Sequence, residues 1–380
     1  MRTTTKRPRN DDHTDTDAQP STSKKARTDT VSPPAEDSPS NPANTSGVTR
    51  ILSWNVETPV PFLDIPPRKV GTSAVTPGSS LSLLHDLIAR HDFPDFVCLQ
   101  EVRARQTDKE WIAALKSAPN KADCPKYTAY MSLNRAIRGQ RHFGVVTYTK
   151  YPEQINAARE VDWDAEGRIM ILEMKTGWAL VNVYALNGSE YMWRDALGQS
   201  APKTRNERKR EFNRLLLDEC RAMQARGLRL VLIGDFNISL TKRDCVPRLR
   251  TEYPHGLARK EFKEEFMPGL DVVDVYRAVH GNRQAFSWFA KGRPQGADAA
   301  RVDYALVERA LVDRVVEMTY LEDNAERAHS DHAPVILSLR DMHDLPPPNP
   351  SPSLPPPPEF MIPMLQILHA SSSGVPIDRF

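Results

Sequence analysis

Short apolar runs recur along the chain at residues 51–52, 96–99, 143–146, 169–172, 179–183, 230–233, 302–307 and 335–339. Runs of this length, rich in Val, Ile, Leu and Phe and broken by polar residues, predict buried β-strands. Between some of them the apolar spacing changes to a helical period, at 81–89, 108–115, 206–223 and 259–266. The segment 206–223 is the clearest, with Phe212, Leu215, Leu216 and Cys220 on one side and many charges opposite. The strands at 143, 169 and 179 follow one another without helices, which predicts antiparallel pairing. Mixed strands with flanking helices predict an α/β fold in which two mixed sheets pack face to face and helices cover the outside.

The ends of the chain read differently. Residues 1–46 hold almost no large apolar residue, so they cannot offset their ordering entropy and are expected to be a disordered polar tail. Two basic clusters lie in it, Lys6-Arg7-Pro8-Arg9 and Lys24-Lys25-Ala26-Arg27. Paired clusters of this kind read as a nuclear localisation signal, the alternative being a solvated, charge-mixed tail on a cytoplasmic protein. Residues 58–80 are rich in Pro, Gly and Ser and read as a long loop. Residues 344–380 carry Pro346-Pro347-Pro348 and a second run at 355–358, a polyproline-type tail open to protein partners. The folded domain is expected at 47–343.

Composition narrows the function. With a net charge of only +2, the molecule is not a basic coat for nucleic acid, and any such face must be local. Candidate positions for it are Arg135, Arg138 and Arg141, the stretch 203–210, and Lys242-Arg243, although charges on the helix read equally as its solvated face. The four cysteines, at 98, 124, 220 and 245, form no Cys-x-x-Cys pair, which argues against a zinc site or a disulfide framework. No run of about 18 apolar residues exists to span a membrane, and the polar N-terminus has no apolar core of a secretory signal.

The candidate chemistry lies where apolar strands stop. The run 228–233 leads into Gly234-Asp235-Phe236-Asn237, placing a carboxylate and an amide two residues apart on one side of the backbone. Asn55 and Glu57 follow residues 51–54, and Gln100 and Glu101 follow 96–99. Tyr184 and Asn187 follow 179–183, Asp303 heads 302–307, and Ser330, Asp331 and His332 precede 335–339. Each alone reads as a cap or turn residue. Together they form a set rich in oxygen ligands and poor in thiols, which suits a hard cation, Mg²⁺ or Mn²⁺, and not zinc. The histidine adds a group that titrates near neutrality.

The ordered motifs Ser53-Trp54-Asn55-Val56-Glu57, Leu99-Gln100-Glu101-Val102, Tyr184-x-x-Asn187, Gly234-Asp235-Phe236-Asn237, Arg301-Val302-Asp303-Tyr304 and Ser330-Asp331-His332-Ala333-Pro334 span residues 50–340. In these the chain resembles the endonuclease/exonuclease/phosphatase superfamily, and within it the exonuclease III type of apurinic/apyrimidinic endonuclease. The resemblance implies a four-layer α/β sandwich with the site at one end of the sheets. It implies Glu101 as the principal ligand of Mg²⁺ (Mn²⁺ as substitute), helped by Asn55 or Glu57 and by Asp331. Asp235 would prepare a water for attack, Asn237 and Asn55 would orient the phosphate, and Tyr184 would contact it. His332, held by Asp303, would contact the scissile phosphate, and Asn187 and Trp288 would touch substrate.

The departures concern substrate choice. Glu57 replaces an aspartate, Leu186 replaces a proline, Glu190 stands where a basic residue commonly contacts DNA, and Ala299-Ala300 stand where the abasic endonucleases carry a pocket tryptophan. Trp288 is the candidate replacement for that wall. The expected function is Mg²⁺-dependent cleavage of DNA, as a repair-type endonuclease or 3′ exonuclease at abasic or damaged sites. The alternatives are a retrotransposon-derived nicking endonuclease or an RNA-directed nuclease, and, of another class, a non-catalytic nucleic-acid-binding protein on the same fold. Against the last stands the joint presence of Glu101, Asp235, Asn237, Asp303 and His332.

Overall fold

Twelve strands build two six-stranded sheets in a computed structural model that describes residues 47–59, 81–122, 124–135, 143–194 and 200–346. The tail 1–46 with its basic clusters, most of the loop 58–80, Arg138, Arg141 and the proline runs from Pro347 onward lie outside the described residues. In chain order the strands are β1 (Val48–Asn55), β2 (Phe96–Gln100), β3 (Thr128–Ser132), β4 (Val145–Thr149), β5 (Ile155–Arg159), β6 (Ile169–Met174), β7 (Trp178–Tyr184), β8 (Arg229–Asp235), β9 (Val272–Asp274), β10 (Asp303–Glu308), β11 (Val315–Tyr320) and β12 (Val335–Arg340). The first sheet runs β11-β12-β1-β2-β4-β3 and the second β9-β10-β8-β7-β6-β5.

Both sheets share one plan. Each has a central parallel pair, β1 with β2 and β7 with β8, flanked by antiparallel neighbours. The carboxyl ends of the parallel strands therefore lie at the same edge as the amino ends of β12 and β10. Every strand-end residue singled out from the sequence belongs to one of these six strands or to the residues just beyond it.

Side chains alternate across a strand, and this carries the core directly into the site. Ile51, Leu180, Val231, Ile233, Ala305 and Leu337 face the layer between the sheets. Two-residue steps along the same strands lead to Asn55, Tyr184, Asp235 and Asp303. Just short of the site the layer turns polar: Gln100 Nε2 donates to Asn182 Oδ1 at 2.8 Å and to Ser53 Oγ at 3.0 Å, and Asn182 Nδ2 donates to Thr147 Oγ1 at 3.1 Å. These buried bonds join the two sheets beneath Glu101.

The opposite strand faces bury against helices. Helices α1 (Leu81–Arg90) and α2 (Lys109–Ser117) cover the first sheet, with Leu84, Leu87 and Leu115 against Leu52, Trp54 and Leu99. Helix α3 (Arg205–Ala225) covers the second, with Phe212, Leu216 and Cys220 against Val181, Leu230 and Leu232. Each such large side chain stabilises the fold by about 1.5–3 kcal/mol. A capping box of Thr204 and Glu207 fixes the start of α3 and contributes about 1 kcal/mol. The result is helix, sheet, sheet and helix, the four layers expected from the sequence.

Two expectations need correction. The strand after residue 143 does not pair with the strand at 169. It is β4, in the first sheet between β2 and β3, and the hairpin partner of β6 is β5. The helix expected at 259–266 begins earlier, at His255, and its second half, Phe262–Phe266, widens to a π-turn that buries Phe262 and Phe266.

Candidate functional site

Asp235 occupies the centre of the site because β8 ends there and because Gly234 lets it. Gly234 has φ +134°, and a Cβ on it would lie 2.1 Å from the Val183 carbonyl oxygen of β7. Only glycine allows the two strands to approach so closely. In the sheet register Asp235 sits opposite Tyr184 on one side and Asp303 on the other. Its side chain is buried, 1% exposed. Oδ2 accepts hydrogen bonds from Asn55 Nδ2 and Asn237 Nδ2, both at 3.0 Å, and Oδ1 accepts from the Asn237 backbone N–H at 2.8 Å. Asn237 adopts the left-handed conformation, φ +51°, which returns both of its donors to Asp235. Burial, then the nearby Asp303 carboxylate, push the Asp235 carboxyl up to about 7.

Beside it stands a buried imidazole–carboxylate pair. His332 Nδ1 lies 2.8 Å from Asp303 Oδ2. Burial opposes charging the ring, but the Asp303 carboxylate and its hydrogen bond outweigh that and raise His332 to about 10. The pair is held from several sides. Ser287 Oγ accepts from the Asp303 N–H at 2.9 Å, and the Tyr320 hydroxyl donates to the Asp303 carbonyl at 2.7 Å. Trp54 Nε1 donates to the His332 carbonyl at 3.1 Å, and Ser330 Oγ accepts from the His332 N–H while donating to the Asn55 carbonyl. The loop before β12 is thereby tied to the end of β1.

Glu101 forms the third group. It is also left-handed, φ +56°, directly after β2. Its Oε1 accepts from the Tyr184 hydroxyl at 2.8 Å and from Asn55 Nδ2 at 3.1 Å, and its Oε2 lies 3.2 Å from Arg103 Nη2. Asn55 thus bridges Glu101 and Asp235. Burial and Glu101 keep the Tyr184 phenol protonated far above neutral pH.

Of the sequence-predicted residues, Asn55, Glu101, Tyr184, Asp235, Asn237, Asp303 and His332 share these two networks. The other four lie further out. Glu57 pairs with Lys291. Asp331 Oδ2 accepts from Trp288 Nε1 at 3.0 Å, so the Trp288 indole is tied to an acid of the site. Asn187 is exposed on the loop after β7, where its carbonyl accepts from Arg205 Nε at 3.4 Å. The donor chemistry of Glu101 and Asn55, a carboxylate and an amide, fits a hard cation. Among the described residues Asp235, Asp303 and His332 bring carboxylate and imidazole atoms within 4.8 Å of one another.

Two supporting residues escape sequence reasoning. The Arg168 guanidinium is buried between aromatic rings, 4.0 Å from the centre of Phe143 and 4.7 Å from that of Tyr184. Lys209 is buried in α3, behind Asn237. Neither position carries a sequence signal for this role: Arg168 reads as a charged residue before an apolar run, and Lys209 falls in the stretch 203–210 read as a basic or solvated face. The helix-start charges are also more engaged than an open cationic face would be: Lys203 pairs with Glu211 at 2.8 Å, Arg210 pairs with Glu261, and Arg208 is buried.

Residues 52–332 match the Endonuclease/Exonuclease/phosphatase family. The chain belongs to this family. It is therefore a hydrolase by descent, and the networks above lie within the matched span. Solved structures agree on the architecture. The AP endonuclease LMAP of Leishmania major is similar with a TM-score of 0.58 at 18% identity, over 78% of this chain and 89% of that one. The APE2 catalytic domain of Xenopus laevis gives 0.57 at 20%, over 80% and 94%. The 3′ phosphatase NExo of Neisseria, bound to a product DNA hairpin, gives 0.55 at 22%, over 77% and 99%. A comparison with curated protein sequences finds no match.

Proposed function

We propose that this family member is a divalent-metal-dependent phosphodiesterase that cleaves DNA, of the repair-nuclease type. The observation that carries the reading is Asp235: a buried carboxylate raised to about 7, oriented by two amides, between a cation-type ligand, Glu101, and a charged His332–Asp303 pair. DNA as substrate is supported by the structural neighbours, one of which is bound to a DNA product.

Glu101 with Asn55 would hold Mg²⁺, with Mn²⁺ as a substitute and with Glu57 and Asp331 at the rim. The ion would supply positive charge to the phosphoryl oxygens. The protein does the rest. Asn55 and Asn237 fix the Asp235 carboxylate, which takes the proton of a water aimed at phosphorus; a base near pH 7 suits that task. His332 is protonated at neutral pH and donates a hydrogen bond to the charge that builds on the phosphate. Asp303 sets its orientation and tautomer. Tyr184, kept protonated, adds a neutral donor, and the guanidinium of Arg168 against its ring restricts where the phenol points.

The pure protein should cleave nicked, abasic or single-stranded DNA with Mg²⁺ and stop when EDTA is added. Cleavage that persists in EDTA, or none of any nucleic acid in Mg²⁺ or Mn²⁺, would sink the reading. The same panel decides abasic preference, which the residues at Glu190 and Ala300 leave unsupported.

A further inference from the structure

Lys209 is the least expected side chain near the site. It lies in the second turn of α3, on a helix whose outer face is densely charged, yet it points inward and is 3% exposed. Nζ donates to the Asn237 carbonyl at 2.6 Å and lies 3.4 Å from the Phe236 carbonyl. Burying an amine is costly unless it is hydrogen-bonded. Burial, with the nearby Arg259 charge, drives this one down to about 7, against the pull of Asp235. Methionine would fill the same volume without that cost.

The position of the two carbonyls explains its presence. They belong to the turn that leaves β8, in which Asn237 is left-handed. Asparagine reaches this region more readily than other non-glycine residues, but the turn is still held in place by its surroundings. The turn also sets the direction of Asn237 Nδ2, which donates to Asp235 Oδ2 and to the Ala185 carbonyl. The lysine stem reaches the turn past Gly188, where a Cβ would lie 3.1 Å from Asn206 Oδ1 and 3.2 Å from Lys209 Cδ. The loop after β7 thus leaves a channel for it.

We propose that Lys209 is a positioning residue: its terminal nitrogen clamps the Phe236-Asn237 backbone in the left-handed turn that aims the Asn237 amide at Asp235. Charged or neutral, the nitrogen can donate to a carbonyl, so the clamp does not require one protonation state. Its kinetic consequence rests on the phosphodiesterase reading, while its structural consequence does not.

The test uses the full chain. In Lys209→Met, hydrogen exchange at the Asn237 backbone amide should quicken by about tenfold or more, confined to residues 235–238, with global unfolding little changed. On cleaved DNA, kcat should fall about 10- to 100-fold with KM nearly constant. In an Asn237→Ala background the same substitution should lower kcat by less than about twofold, because the group it aims is gone. Unchanged exchange at Asn237, or an equal kcat loss in both backgrounds, would overturn the clamp. If Lys209→Met does not fold, Gly188→Ala narrows the channel and should quicken the same amide to a smaller degree; no change there would also overturn it. A wild-type protein that cleaves nothing would instead refute the phosphodiesterase reading, and the exchange measurement would still decide the clamp.

Discussion

At the scale of single residues, the site shifts two titrations upward together and keeps the order that free side chains show, Asp235 below His332. Burial and Asp303 raise Asp235 to about 7, while Asp303 holds His332 up to about 10. The reaction needs Asp235 ionised and His332 protonated. The rate should therefore rise with pH through about 7, as Asp235 loses its proton, and fall towards 10, as His332 loses its own. A kcat profile in Mg²⁺ checks this. A rise centred near 4, as for an ordinary aspartate, would contradict it. The acids and amides of the site were legible in the sequence because each is a polar residue placed directly after, or before, an apolar strand. Lys209 and Arg168 were not, because a long cationic side chain beside an apolar run reads as solvated. Only the fold reveals that one bonds a buried turn and the other stacks on Tyr184.

At the scale of elements, the strands that the apolar pattern failed to predict are β3, β5, β9 and β11, the four edge strands of the two sheets. β5 alternates between half-buried and exposed positions, β9 has only three residues, and β3 and β11 bury little of their length. An edge strand buries too little apolar surface to stand out from a loop. The central strands are buried along most of their length and were clear in the sequence, and they and the turns at their ends supply the site. Their spacing depends on Gly234. A Gly234→Ala substitution would drive a methyl group into the Val183 carbonyl and should separate β7 from β8. The expected cost is about 3 kcal/mol or more, read as a lowered denaturant midpoint. A midpoint within error of wild type would show that the two strands can part without loss.

At the scale of the whole molecule, the same strand plan occurs twice, and the site exists only where the two copies meet. Asn55, Glu101 and His332 come from the first sheet or the loops beside it, and Tyr184, Asp235 and Asp303 from the second. The buried Gln100–Asn182 bond keeps those halves in register behind the site. The near-neutral chain carries no overall basic charge, so any face for nucleic acid must be local. The most direct measurement is a parallel comparison of wild type with Asp235→Asn on one end-labelled DNA in Mg²⁺, following cleavage and binding together. Asparagine keeps the shape and the hydrogen-bonding reach but cannot take a proton. Cleavage should be lost by about a thousandfold or more while the dissociation constant for DNA changes by less than about threefold. Equal cleavage by the two proteins, or loss of binding together with cleavage, would contradict Asp235 as the base of a DNA phosphodiesterase.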